Sequence, residues 1–262
     1  MKPPTSLAAA AWLAALAGFA PIPSHADDAD HAPVSGSAFL SPELKAMQAD
    51  DFANPGMLWV QEGERLWQSA GPSGKACASC HGEAAQSMKG VAARYPAIDP
   101  ASATLVNLEQ RINLCRGRHM GETPFGYETN ELLSVTSYIA YQSRGLAVHV
   151  ETGGAAAPYY GRGKTLFHTR QGQLNLSCAQ CHVDLAGRKL RGDVISHGVG
   201  VGYPVYRLEW QSLGSLHRRL RSCAFGVRAR QYDYGSDDAV SLELYLAKRA
   251  DGLEMDAPAI RR

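Results

Sequence analysis

No strong charge of either sign marks this sequence: 26 Lys and Arg balance 25 Asp and Glu over 262 residues. That balance leaves no global basic field for nucleic acid. Charged residues are few, at 19%, against 45% hydrophobic ones, a profile that excludes a disordered chain and allows real cores. Cysteine is sparse as well. Six in this length cannot staple a disulfide scaffold, but they suffice for dedicated cofactor chemistry. Long apolar runs are missing except near the start, where Leu7–Ala20 spans 14 residues.

That run belongs to an address signal. Met1–Ala26 carries Lys2, then the apolar run, then Pro21-Ile22-Pro23 and the small-residue stretch Ser24-His25-Ala26, the three-part pattern of a secretory signal peptide cut after Ala26. A single membrane anchor is the competing reading, but a span needs about 20 residues. The expectation is a mature chain with 25 basic and 25 acidic residues, periplasmic, with no membrane insertion after cleavage. Free thiols there are oxidised unless something binds them.

The chain repeats itself. Glu62-Gly63-Glu64-Arg65-Leu66-Trp67 leads to Cys77-Ala78-Ser79-Cys80-His81, and Arg162-Gly163-Lys164-Thr165-Leu166-Phe167 leads to Cys178-Ala179-Gln180-Cys181-His182. Downstream, the Leu108–Cys115 segment mirrors Leu216–Cys223, and Tyr138-Ile139-Ala140 mirrors Tyr245-Leu246-Ala247. Matching anchors in one order predict two copies of a domain, at 57–150 and 158–262, joined by a Gly/Ala/Pro linker at 151–157. Residues 27–56 form an N-terminal extension with helical potential around Pro42–Asp51. Each copy reads helix, loop, short helix, final helix. The last helices, Glu131–Ser143 and Asp237–Arg249, have apolar residues such as Leu132, Val135, Tyr138 and Ile139 at helical spacing. Domains of about 95 residues with so much loop bury little core unaided, so something else fills the centre.

Cys-x-x-Cys-His names the filler. Two thiols form thioethers to porphyrin vinyl groups, and the adjacent His ligates the iron of a c-type haem. One copy would fit a zinc half-site or a redox pair. Two copies in matching repeats behind a signal peptide, with no other Cys pair to complete a zinc site, favour two covalently bound haem c groups. These are attached at Cys77, Cys80, Cys178 and Cys181 and ligated by His81 and His182. The expected fold is mainly α: two tandem cytochrome c domains, each wrapped around its haem.

The sixth iron ligand is more open. Past His182 the single Met is Met255, near the C-terminus, so a Met ligand is nearly excluded at the second haem. Met88, Met120 and His119 are candidates at the first haem, and His197 and His217 at the second. Only Cys115 and Cys223 recur in register. Three readings compete for them: a disulfide between them, inert buried thiols, or thiolate ligation of one or both irons, which would lower the potential. The repeat symmetry favours ligation.

Around Cys223 the charge is one-sided. From Trp210 to Tyr232 no Asp or Glu occurs, whereas Arg218, Arg219, Arg221, Arg228 and Arg230 do. Arg188, Lys189 and Arg191 add to this field, which suits a small oxyanion. Arg219 lies four residues before Cys223, on the same helical face. It is a candidate substrate-binding residue, with a haem propionate as its alternative partner, because Arg111 stands in the same place before Cys115.

With these motifs the sequence resembles the SoxA family of dihaem cytochromes. The resemblance rests on both Cys-x-x-Cys-His motifs, on Gly163–Phe167 leading to Leu176–His182, and on Tyr206–Trp210 leading to Leu216–Cys223. It covers essentially all of the mature chain. It implies a monohaem SoxX-like partner and oxidative conjugation of thiosulfate to a Cys of a SoxYZ-like carrier protein, the L-cysteine S-thiosulfotransferase reaction. It further implies His81 and Cys115 on the first iron and His182 and Cys223 on the second, with Cys223 catalytic and Arg219 assisting. Rival readings are a tetrathionate-forming thiosulfate dehydrogenase and a non-catalytic electron-transfer cytochrome.

Overall fold

A computed structural model of the chain describes Met1 and residues 32–262. The leader expected at 1–26 falls, Met1 apart, outside the described residues. Everything below concerns Pro33–Arg262. In chain order the helices are α1 (Pro42–Ala49), α2 (Met57–Gln68), α3 (Ala78–His81), α4 (Ala84–Ser87), α5 (Leu108–Cys115), α6 (Asn130–Tyr141), α7 (Ala157–His168), α8 (Leu216–Gly226) and α9 (Asp237–Arg249). Their starts follow from capping chemistry. Ser41 caps α1 with Pro42 in its first turn, and Asn107 with Gln110 forms a capping box on α5. Thr129, Ser215 and Ser236 cap α6, α8 and α9, each accepting a backbone N–H three residues on.

The internal repeat is a packing motif. α2 lies on α6 and α7 lies on α9, and each crossing is made backbone to backbone at a glycine. A Cβ on Gly63 would stand 2.1 Å from the Ser134 carbonyl oxygen, and one on Gly163 would stand 2.0 Å from that of Ser241. Trp67, Leu132, Val135 and Ile139 build the core of the first half, with Cys77 at its edge. Phe167, Leu220, Leu242 and Tyr245 build that of the second, with Cys178 at its edge.

A third cluster fuses the halves: Ala140, Val148 and Val150 pack with Val201, Val240, Leu244 and Met255. Of the stretch 151–157, read from composition as a linker, Ala156 is buried in this cluster while its neighbours 153–155 and 157 are exposed, and its 3-10 turn Gly154–Ala156 runs straight into α7. The expected α1 helix forms, and the extension it belongs to is tied to the C-terminus. Asn54 Nδ2 donates to the Pro258 carbonyl at 2.9 Å, and Gln48 Oε1 accepts from the backbone N–H of Ile260 at 2.9 Å.

Strands are short and sit beside the sites. β1 (Ala97–Ile98) pairs antiparallel with β2 (Leu105–Val106), and β3 (Lys189–Leu190) with β4 (Asp193–Val194). In the second half β5 (Val205–Arg207) is central, antiparallel to β6 (Ser212–Gly214) and parallel to β7 (Ala259–Arg261). β1–β2 and β5–β6 are one hairpin used twice. Each follows a cis Tyr–Pro bond, at Tyr95-Pro96 and Tyr203-Pro204, and each leads within two residues to the capped helix that carries Cys115 or Cys223.

Candidate functional site

The second Cys-x-x-Cys-His motif lies on a turn of π-helix, Gln180–Asp184. His182 is aimed by its surroundings. Its Nδ1 sits 2.7 Å from the Ser196 carbonyl oxygen, which makes Nδ1 the donor and leaves Nε2 free to bind a metal. Gly198, at φ +67°, permits this approach, since a Cβ there would come 2.8 Å from His182 Cγ. The chain turns back through β5–β6 into α8, which presents Arg219 and Cys223 one turn apart. Cys223 meets His182 in a hydrogen bond, and the charges of Cys178 and Cys181 interact with it. Burial works against ionising the Cys223 thiol, but the His182 hydrogen bond and the charges of Arg219, His182 and Arg207 outweigh it and bring it down to about 7. Burial raises Cys178, by contrast, to about 11.

The first motif brings Cys115 to Cys77 and Cys80 in the same way. His81 is exposed here, its ring 5.6 Å from that of Trp67. Cys115 behaves oppositely to Cys223: burial pushes its thiol up, and Arg111 and Arg118 do not compensate. The reason is Asp99, only 1% exposed, which pairs with Arg111 at 2.9 Å and Arg118 at 2.8 Å. Arg111 Nε also donates to the Tyr95 hydroxyl at 3.1 Å. Arg219, in the matching place, makes no hydrogen bond or ion pair of this kind among the described residues, and its strongest electrostatic partner is Cys223. The cation four residues before each cysteine is therefore locked in one half and available in the other.

All six cysteines are free thiols, so the reading that joined Cys115 to Cys223 by a disulfide is replaced by one in which each lies at its own motif. Of the other candidate ligands, Met88 packs on the cluster of the first half, as Cys77 does, and Met120 is buried. His217 is buried, 2.9 Å from Glu243, with its Nδ1 accepting from Gly235 N–H at 3.2 Å. His119 is exposed, His197 faces Phe39, and Met255 lies in the cluster between the halves. Sequence reasoning missed Asp99, Arg207 and the Ser196 carbonyl. A signal did exist for the first two, because Tyr95-Pro96 and Tyr203-Pro204 stand equally far before Arg111 and Arg219.

The residues fit haem c. Each half sets the first thiol of its motif at the edge of an apolar cluster and brings a further cysteine, Cys115 from α5 or Cys223 from α8, to that motif. At the second motif the imidazole is already oriented by a carbonyl, as iron-binding histidines are.

The family model described as "SoxA/TsdA, cytochrome c domain" matches residues 62–148 and again 162–255. Two relatives carry the description L-cysteine S-thiosulfotransferase subunit SoxA. The one from Pseudaminobacter salicylatoxidans is 40% identical over 231 residues, covering 87% of this chain and 81% of that protein. The one from Paracoccus pantotrophus is 39% identical, covering 87% and 78%. The crystal structure of SoxXA from P. pantotrophus matches with a TM-score of 0.84 at 38% identity, covering 87% of this chain and 86% of that one.

Proposed function

This chain belongs to the SoxA/TsdA cytochrome c family, and from that premise we propose that it joins thiosulfate oxidatively to a cysteine of a carrier protein. It is an enzyme subunit, an L-cysteine S-thiosulfotransferase of the kind its relatives are named for, and it carries covalently bound haem c. Two such groups are assigned, one per matched segment. Cys77 and Cys80 would hold the first, with His81 and Cys115 as its iron ligands, and Cys178 and Cys181 would hold the second, with His182 and Cys223 as its iron ligands. A SoxX-like cytochrome is its partner, in keeping with the SoxXA structure it resembles. The SoxYZ-like carrier, the thiosulfate substrate and a periplasmic location are parts of the same proposal. Among the described residues no helix is long and apolar enough to cross a membrane.

The observation that carries the reading is the asymmetry of the two cysteines. Only Cys223 stands one helical turn from an arginine with no carboxylate partner among the described residues, Arg111 beside Cys115 being held by Asp99 at 2.9 Å. Haem, when bound, supplies one-electron acceptors for an oxidation that releases two electrons. Arg219 orients the thiosulfate dianion by charge-assisted hydrogen bonds. Cys223 Sγ bonds to the sulfane sulfur, forming a Cys223–S–S–sulfonate. The carrier thiolate then attacks the sulfane sulfur, takes the sulfonated sulfur, and frees Cys223. Overall one carrier thiol and one thiosulfate dianion give one carrier thiosulfonate, one proton and two electrons.

The test is Cys223→Ala in the complex with its cytochrome partner. The variant should retain both haems and lose conjugation, whereas conjugation at the parental rate would refute the assignment. Tetrathionate formed by the isolated chain without a carrier would favour the dehydrogenase reading instead.

A further inference from the structure

The two hairpins can be laid on each other residue by residue. Ala97 faces Val106 and Ile98 faces Leu105 in the first, while Val205 faces Gly214 and Tyr206 faces Leu213 in the second. Each pair of counterparts is 108 positions apart, the same separation as Tyr95 and Tyr203, Arg111 and Arg219, and Cys115 and Cys223. The register continues one step. Asp99 N–H donates to the Thr104 carbonyl at 2.8 Å, and its counterpart Arg207 pairs with Ser212, the counterpart of Thr104. The buried acid that ties up the arginines of the first site is thus an arginine in the second. Arg118, the other cation that Asp99 holds, has Gly226 as its counterpart.

From this charge inversion at a shared register we infer that Arg207 is a second anion-holding residue, which with Arg219 grips the two negative charges of thiosulfate beside Cys223. The inference rests on the function proposed above and deepens it. Arg207 is only 6% exposed, so its guanidinium is fixed rather than solvated. Its one side-chain hydrogen bond among the described residues runs from Nε to Glu209 at 2.8 Å, and an Nη lies 4.0 Å from Asp193, beyond hydrogen-bond length. The Nη groups therefore remain able to donate. Trp210 braces the cation, its ring centre 5.2 Å from Arg207 Cζ. Its charge reaches both Cys223 and Tyr203, the residues that flank Arg219. Glu209 and Asp193 are about half exposed, at 49% and 48%, so solvent weakens their hold and an entering dianion can compete with them. In the first site the acid occupies the buried position and closes it to anions. In the second the acid has moved to the rim.

Arg207→Gln in the haem-loaded complex should raise the thiosulfate KM, and the thiosulfate Kd of the oxidised protein, by about 10- to 100-fold, the worth of one charge-assisted hydrogen bond. The kcat should fall by less than the KM rises, because Arg207 acts on the Cys223 thiol only through its charge while it holds the anion directly. Arg207→Lys should recover part of the loss. Glu209→Gln, at a half-exposed position, should act in the opposite direction and tighten thiosulfate by about two- to fivefold. An unchanged KM and Kd in Arg207→Gln, with the parental complex active, overturns the inference and leaves the proposed function standing. So does a shifted haem spectrum without a KM change, which would mean a propionate or packing role. A parental complex that binds thiosulfate through Arg207 but does not conjugate it overturns the reaction and not the site.

Discussion

A buried carboxyl between the two halves makes a pH-dependent prediction with a definite sign. Glu109 on α5 is 7% exposed and faces Glu243 of α9, with His217 of α8, Glu128 and Tyr127 around it. Burial and the charge of Glu243 push its carboxyl up to about 7, above the ordinary carboxylate range, and His217 only partly offsets them. The native state therefore holds a proton that the unfolded chain releases near pH 4.5. The stabilisation this gives is complete below that pH and is lost as pH rises through about 7, with a slope of up to about 1.4 kcal/mol per pH unit. Over the whole window, from about 4.5 to about 7, this amounts to about 3 kcal/mol. Glu109→Gln keeps the shape and carries no charge to release. The variant should unfold in urea much like the parent at pH 4.5 and be more stable by up to about 3 kcal/mol at pH 8, an advantage that grows steadily between. Unfolding of the haem-loaded protein, followed by tryptophan fluorescence, reads this directly. Titrating groups remote from Glu109 cancel between the two proteins, whereas Glu243 and His217, which interact with it, share in the difference. Parallel pH profiles for parent and variant would refute the reasoning, and so would a variant whose advantage is greatest in acid.

Three further outcomes are expected. Arg111→Gln removes contacts to Asp99 and Tyr95 and should lower the melting temperature while leaving the thiosulfate KM unchanged; Arg219→Gln should do the reverse, and identical behaviour of the two would contradict the division of roles. Gly63→Ala and Gly163→Ala each force a methyl to within about 2 Å of a carbonyl oxygen across a helix crossing, so each should cost at least about 1–3 kcal/mol in chemical unfolding. Parental stability for either would mean the crossings are looser than drawn. Gln48→Ala deprives the Ile260 N–H of its acceptor at about 1–3 kcal/mol, and should speed limited proteolysis of the N-terminal extension.

The parts of this protein that speak through local sequence were legible before its structure. Cys-x-x-Cys-His marks its own chemistry in five residues, and α9 runs over Asp237–Arg249 as its periodicity predicts. The placement of Cys115 and Cys223 at separate motifs followed from repeat register alone. Other features depend on contacts far apart in the chain. Residues 151–157 read from composition as a linker and are mostly exposed, but composition does not show that Ala156 settles into the core shared by the halves. β7 is three residues long, and nothing in Ala259-Ile260-Arg261 signals that it pairs in parallel with β5. His217 looks like an iron ligand until Glu243 is seen 2.9 Å away.

The arginine at position −4 is the instructive case, because its presence does not distinguish the two sites. Arg111 and Arg219 occupy the same turn of equivalent helices, and each pulls its cysteine toward the thiolate. What separates a thiol raised above its ordinary value from one lowered to about 7 is a residue on the neighbouring hairpin, together with the imidazole that reaches Cys223. Asp99 raises Cys115 directly and also holds Arg111 and Arg118, so its effect on the field is felt twice. A motif containing only Arg and Cys would call both sites reactive. Whether the arginine four residues before each cysteine is neutralised depends on the residue 12 positions upstream of it, Asp99 in one copy and Arg207 in the other.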